Sequence, residues 1–374
     1  MATSPRNDIV RPFYVVGHNP NTIEEVLDAL DAGANAVEPD VNVFEHDPGA
    51  LCISHGEGGR AAPSLAQFLA DLRIVAAERP ALSLVVFDCK PKVATPDLGL
   101  ALLNAVRTHL TRDTALNVIV SVASLKETGA FDRIRGLLGP REGLMVDEEN
   151  DPEAVASFFR GAGVEHRCYG NGTPLQNAVI SPHLRPAMEK ACGLRVGQGA
   201  FRFVYEWTNN DEGRMREFIR TGVDGMITDK VEALLSVSRE PEFRSLIRLA
   251  EREDNPFEQP HAGYALTVRT GDVEMAGTDA KLTFTLKGAL GSISKTIDAN
   301  LNGRMERNHT NFVTIPSPDL GELASITVQR DNSGNAPNWF LDSIRVESFR
   351  YGASKQARFG RWIDTTVPFT QPLA

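Results

Sequence analysis

Between residue 13 and about residue 240, eight short apolar runs alternate with helix-patterned segments, and this alternation limits the fold more than any other feature. The runs are FYVVG, NAVEPDV, LSLVVFD, ALNVIVSV, GLMVD, EHRCYG, FRFVYEW and DGMITD. Many are rich in Val and Ile, as strands buried on both faces of a parallel sheet are. Between them lie segments such as TIEEVLDALDAG and SLAQFLADLRIVAAE, which start at Thr22 and Ser64; the first stops at Gly33. The pattern predicts an α/β chain region folded as a (β/α)8 TIM barrel. An open doubly wound sheet fits less well, because no Gly-x-Gly-x-x-Gly follows the first run.

The grammar changes after EREDNPFEQPHAG. From Tyr264 onward, YALTVRT, AKLTFTLKG, ASITVQRD and DSIRVESF alternate with a period of two, separated by Gly, Asn, Asp and Pro turns. An all-β sandwich is expected there. The predicted division is a barrel over residues 1–260 and a sandwich over 261–374, with the boundary in the Pro-bearing stretch 255–263. At 374 residues the chain has room for both.

The net charge of −10 is unevenly placed. From Tyr264 onward 12 basic residues face 11 acidic ones, whereas the first part holds 27 against 38. A nucleic-acid partner is therefore not expected, since that needs a basic footprint. No run of about 18 apolar residues is present, so no membrane-spanning segment is expected. The N-terminus, MATSPRNDIVRP, has no apolar leader core; the chain is either cytoplasmic or exported with its leader removed. Cys52, Cys89, Cys168 and Cys192 have no Cys-x-x-Cys spacing, which argues against zinc. Four separate thiols are the simpler expectation; a Cys168–Cys192 pair stays open for an exported chain.

Catalytic groups of such a barrel come from the C-terminal ends of its strands. Here those ends, with the loop after the second run, carry His18, Glu38, Asp40, His55, Asp88 with Lys90, Asp147, Tyr205-Glu206-Trp207 and Asp229. Glu38 and Asp40 are two apart, so an extended chain points both to one side, and unpaired they would be costly in a core strand. Joined by Asp88 they make a hard, all-oxygen site suited to one Mg²⁺, so that a cation rather than a basic side chain balances them. His18 and His55 are then the acid and base, or nucleophile, on either side of a phosphate. Lys90 adds positive charge for the phosphate oxygens. The remaining histidines, His166 among them, have no such placement and are expected at the surface.

These residues resemble the sphingomyelinase D / phospholipase D family of glycerophosphodiesterase-like barrels. The matching pieces are GHNPNT, GANAVEPDV, SHGEGGR, VVFDCK, VYEWTNND and GVDGMITD, and they run in order from about residue 13 to 258. RLAEREDNPF resembles that family's tail motif, which plugs the barrel bottom; Phe257 stands where the family has tryptophan. The resemblance implies Mg²⁺ on Glu38, Asp40 and Asp88, and His18 and His55 as the catalytic pair. It also implies phosphate contact by Lys90 and a head group against Trp207, with Tyr205 and Asp229 completing the candidate substrate-binding set. Such enzymes release the head group of choline or ethanolamine lipids, often by attack of the substrate's own hydroxyl to give a cyclic phosphate. The family's secretion is implied as well. Departures are the missing cysteine after His55, which predicts a freer loop, Asp229 where asparagine is usual, and Glu206 where an aromatic is usual.

The C-terminal part resembles a PLAT (lipoxygenase-homology) domain through YALTVRTGDVEMAGTDAKLTFTLKG and DLGELASITVQRDNSGNAPNWFLDSIRV. That resemblance implies docking to a lipid surface or protein partner, with Trp339 and Phe340 as candidate lipid wedges. Calcium is disfavoured: Asp279 is present, but Met275 stands where calcium-binding examples carry an acid. The expected function is a Mg²⁺-dependent phospholipase D acting on choline or ethanolamine (lyso)phospholipids or sphingomyelin. The alternatives are a glycerophosphodiester phosphodiesterase on soluble diesters and an inactive lipid-binding protein.

Overall fold

Valine-rich runs become strands because their branched side chains pack well on a pleated surface covered on both sides. All eight expected runs do so. The computed structural model describes residues 10–173, 183–244, 246–258, 263–300, 305–348 and 354–374. The first region opens with β1 (Arg11–His18), α1 (Ile23–Asp31), β2 (Ala36–Glu38), β3 (Asp40–Phe44), β4 (Asp47–Ile53), α2 (Leu65–Glu78) and β5 (Leu84–Cys89). It continues through α3 (Pro96–Ala105), β6 (Asn117–Val122), β7 (Glu142–Val146), α4 (Pro152–Gly161) and β8 (Arg167–Gly172). It ends with α5 (Leu184–Gln198), β9 (Phe203–Trp207), α6 (Glu212–Thr221), β10 (Gly225–Thr228), α7 (Val231–Ser238) and β11 (Ile247–Leu249).

Parallel pairing closes the ring: β1 pairs with β10 on one side and with β2 on the other, and β2 and β3 both pair with β5. Pro39 splits the second barrel strand in two, and its carbonyl still accepts from the Asp88 amide (3.1 Å). The region is thus a (β/α)8 barrel. Thr22 caps α1 reciprocally with Glu25, and Gly33, at φ +101°, turns the chain back towards β2. Two apolar clusters hold the barrel. One lies between strands and helices, and the other fills the interior with Tyr14, Val86, Ile119, Met145, Phe203 and Phe257.

Phe257 closes the bottom as expected, only 2% exposed. It fits because Gly143 has no Cβ; one added there would stand 2.4 Å from the Phe257 ring. His166 corrects the surface expectation: it stacks on Phe257 at 4.9 Å and its Nδ1 lies 2.9 Å from the Glu142 carbonyl oxygen. The tail is tied down by Asn117 and Arg141 donating to the Asp254 carbonyl and by Asn255 donating to Pro140.

The second region holds β12 (Tyr264–Thr270), β13 (Lys281–Gly288), β14 (Gly291–Asp298), β15 (Thr310–Ile315), β16 (Leu323–Arg330), β17 (Trp339–Glu347), β18 (Lys355–Ile363) and β19 (Phe369–Pro372). They form two antiparallel four-stranded sheets, β15-β12-β17-β18 and β14-β13-β16-β19. Four of these strands were not marked by the sequence reading. Residues 259–262, within the expected boundary, lie outside the described residues. Helices α5 and α6 carry contacts between the regions: Thr314 donates to the Glu189 carbonyl (3.1 Å), Lys190 lies over the Phe312 ring, and Lys295 donates to the Arg220 carbonyl (3.0 Å).

Trp339 is not a wedge. It is fully buried, its indole N–H donates to Thr270 Oγ1 (3.0 Å), and its ring meets Phe284 edge-on. Strand alternation turns it inward, and Phe340, half-buried, packs edge-on against Trp362. The four cysteines are separate, buried thiols. No helix among the described residues is long and apolar enough to cross a membrane.

Candidate active site

The strand ends converge on a cavity of about 260 Å³, with His18, Glu38, Asp40, His55, Asp88, Lys90, Asp147, Glu148 and Trp207 among its lining residues. Asp40 faces Asp88 across the β3–β5 register, and Glu38 lies two residues before Asp40 on the same side. One oxygen from each of the three carboxylates lies within 4.8 Å of the others, and this is the one such cluster among the described residues. Burial, with the charges of Asp88 and Asp40 beside it, lifts the Glu38 carboxyl well above its ordinary range. The Asn19 amide donates to it (3.1 Å). A hard oxygen set this crowded with negative charge fits a divalent metal ion.

The sequence reading did not foresee how the charge is balanced in the protein alone. Lys90 Nζ stands 2.6 Å from Asp40 Oδ1 and 2.5 Å from Asp88 Oδ2. A basic side chain therefore does pair the acids. Burial works against the Asp40 charge, but the ammonium outweighs it and holds Asp40 below its usual value; for Asp88 burial prevails and the carboxyl rises. Asn21, which the sequence reading passed over, clamps Asp40 from both ends: its amide donates to Oδ2 (3.0 Å) and its carbonyl accepts from the Asp40 amide (2.9 Å).

Each histidine turns Nδ1 to a carboxylate, which leaves Nε2 for a substrate. His18 Nδ1 is 2.6 Å from Asp229 Oδ1, and Asp229 Oδ2 accepts from Asn210 (2.6 Å). His55 Nδ1 is 3.0 Å from Asp40 Oδ2. The β3–β4 hairpin, absent from the sequence reading, carries His55 back beside Asp40, with the Ser54 amide on the Asp40 carbonyl (3.0 Å). The following loop is tied at two points. Gly58 donates to Val43 (2.9 Å) and Glu57 pairs with Lys92 (2.6 Å). Gly58 is needed there, as a Cβ would stand 2.4 Å from Cys52 Sγ.

Trp207 lines the wall, its ring set by an indole N–H donated to the Asp147 carbonyl (3.0 Å). Tyr205 lies beneath it, fully buried, donating to Asp147 Oδ2 (2.5 Å), and Asp229 stands behind His18; neither is among the lining residues. Asp147 itself, though at a strand end, was not in the expected site. Burial, with Asp88 nearby, pushes its carboxyl up to about 8. Glu206 points out of the barrel to Arg214 (2.8 Å). In the second region both Asp279 oxygens accept backbone amides, from Asn335 (2.6 Å) and Ala336 (2.8 Å), and no carboxylate cluster accompanies it among the described residues.

Comparison with known proteins accords with this geometry. Residues 8–257 match the family model "Dermonecrotic toxin SPH", and residues 264–368 match the PLAT/LH2 domain. The chain is 28% identical to a dermonecrotic toxin SPH of Ixodes scapularis, over 66% of this chain and 76% of the toxin. It is also 28% identical to dermonecrotic toxin LarSicTox-betaID1 of Loxosceles arizonica, over 68% of this chain and 96% of the toxin. A glycerophosphodiester phosphodiesterase structure from Parabacteroides distasonis is similar at a TM-score of 0.43 and 14% identity, covering 61% of this chain and 97% of that one. The match over residues 8–257, with the PLAT match after it, shows that this phosphodiesterase belongs to the dermonecrotic toxin SPH (sphingomyelinase D) family.

Proposed function

We propose that the chain is a Mg²⁺-dependent phospholipase D that releases the head group of choline or ethanolamine (lyso)phospholipids or sphingomyelin. One observation carries this: two histidines, each with Nδ1 held by a carboxylate, flank a three-carboxylate cluster in one cavity. Glu38, Asp40 and Asp88 would hold the cation, which when bound would offset the charge of the carboxylates and of a phosphodiester. One histidine Nε2 accepts the proton of the attacking hydroxyl, either the lipid's own or a water's, and the other donates to the departing head-group oxygen. Attack by the lipid's own hydroxyl forms a cyclic phosphate and breaks the bond to the head group, so atoms balance without water. Lys90 supplies positive charge at the phosphate. Trp207 offers an indole face to the ammonium, and Glu148 lines the same cavity.

Residues 1–260 would be the catalytic unit and 261–374 the unit that docks it to a lipid surface. Export from the cell is proposed from the toxin names of the relatives. The test is head-group release from sphingomyelin, lysophosphatidylcholine, lysoplasmalogen and glycerophosphocholine, with and without EDTA. Release from a lipid that EDTA abolishes is the expected result. Release from glycerophosphocholine alone overturns the lipase assignment in favour of a soluble diesterase, and no release at all favours a binding protein. Phosphorus NMR of the product separates a cyclic from a linear phosphate.

A further inference from the structure

Lys90 sets its ammonium against two of the three clustered carboxylates. Its backbone is fixed, because the Lys90 amide donates to the Val41 carbonyl (2.9 Å) and the residue stands at the N-cap of the turn Pro91–Val93. Lys90 is two residues beyond Asp88, so the extended chain sends both side chains to the same side. The head then bridges Asp40 Oδ1 (2.6 Å) and Asp88 Oδ2 (2.5 Å), and Glu38 completes the carboxylate cluster. The acidic groups of the cluster still outnumber the one ammonium among them, which suits a divalent ion. The ammonium takes one oxygen of each aspartate, so an ion that binds through those oxygens competes with it for them, and the two like charges repel at that distance.

We infer that Lys90 is an internal counter-ion which a divalent cation must displace, so that loading the site and freeing the lysine are one exchange. Before loading, the ammonium keeps Asp40 and Asp88 from repelling each other at a strand pairing that the barrel needs. After loading, the four-carbon stem carries the charge into the cavity that Lys90 lines together with His18 and His55. The lysine thus reaches a phosphate only in a protein that already holds its ion, which ties charge delivery to metal occupancy. This deepens the function proposed above and rests on it for the metal, but not for the substrate.

The affinity consequence is a simple tax. If the lysine holds the carboxylates for all but about a tenth of the time, the apparent dissociation constant of the ion is raised about tenfold. Lys90→Met keeps the stem and removes the charge. Isothermal titration of the full chain with Mg²⁺ or Mn²⁺ alone should show Lys90→Met binding about tenfold more tightly than wild type. Its melting temperature without metal should be lower, and its rise on adding Mg²⁺ larger. Lys90→Gln is the second variant if the methionine form does not fold, with the same affinity gain expected. Wild-type crystals grown with Mn²⁺ provide a variant-free check: Nζ should have left both carboxylates.

Equal or weaker metal binding by the neutral variants overturns the exchange, as does Nζ still bonded to Asp88 with Mn²⁺ in place. Absence of divalent binding in wild type and both variants also overturns it. None of these readouts uses turnover. Tight metal binding without head-group release would leave the exchange standing and defeat the phospholipase assignment instead.

Discussion

Asp229 Oδ1 lies 2.6 Å from Nδ1 of His18, a pairing between residues 211 positions apart, and Asn210 holds the other Asp229 oxygen at 2.6 Å. The chain therefore sets one imidazole by a carboxylate that takes no part in the metal cluster, while the other leans on Asp40, which does.

Loss of His18 should lower kcat by about a hundred- to ten-thousandfold, the usual worth of a general acid or base. Asp229→Asn keeps a hydrogen-bonding group but removes the charge, and should cost about tenfold or more in kcat with KM little changed. The double variant should be no slower than His18→Ala alone, because Asp229 acts through the imidazole. Steady-state head-group release measures all three. Full additivity would mean that Asp229 acts elsewhere.

If the cluster holds Mg²⁺ as proposed, Glu38→Gln should abolish Mg²⁺ binding, with turnover falling to the EDTA-treated level. In the absence of metal the variant should be more stable than wild type. The amide removes a buried carboxyl beside Asp40 and Asp88 whose charged form burial and those neighbours disfavour. Calorimetric titration and thermal melts check the two parts.

Trp207→Ala should raise KM for a choline lipid by about five- to thirtyfold, the equivalent of a cation–π contact of about 1–2 kcal/mol. Trp207→Phe should recover part of it. Comparing choline with an uncharged head group separates ammonium binding from simple loss of apolar wall.

The buried Asp147 carboxyl, raised to about 8, makes a signed prediction about pH. The folded state keeps a proton that the unfolded chain releases above about pH 4. Folding is therefore helped most at low pH, and this contribution falls by roughly 1.4 kcal/mol per pH unit until it levels off above about 8. Glu206, raised to about 7 chiefly by burial, acts in the same direction. Asp147→Asn should keep the Tyr205 hydrogen bond and flatten the profile by the Asp147 share alone, as urea denaturation across the pH range would show.

At the barrel bottom, Phe257→Ala should cost about 3–5 kcal/mol through the cavity it leaves. Gly143→Ala should also destabilise, since its Cβ would meet the Phe257 ring at 2.4 Å. Combining the two should cost less than the sum, because the smaller residue at 257 makes room for the added methyl. Denaturation midpoints of the three variants test the coupling.

Much of the barrel was legible because its signals are local. The valine-rich runs, the Thr22 and Ser64 caps and the positions of Glu38, Asp40 and Asp88 at strand ends all follow from spacing within a few residues. Less was legible in the sandwich. The run KQARFGRWI becomes β18, but its charged residues and glycine hide the strand until β17 pairs with it. The hairpin strand β4 was missed for a like reason, since DPGALCI carries a proline and a glycine.

The amino-acid sequence by itself determined the order of strands and helices, the carboxylates that share one face, and the positions at which chemistry could be displayed. These depend on backbone period, which neighbouring residues set. Only the tertiary structure decided where the long or distant side chains go. It turned Trp339 into the sandwich core, sank Tyr205 below the cavity, brought Asp229 to His18, and laid Lys90 across Asp40 and Asp88. The physical reason is that a flexible or remote side chain settles on whichever partner lowers its electrostatic and desolvation energy, and that partner exists only once the barrel has closed.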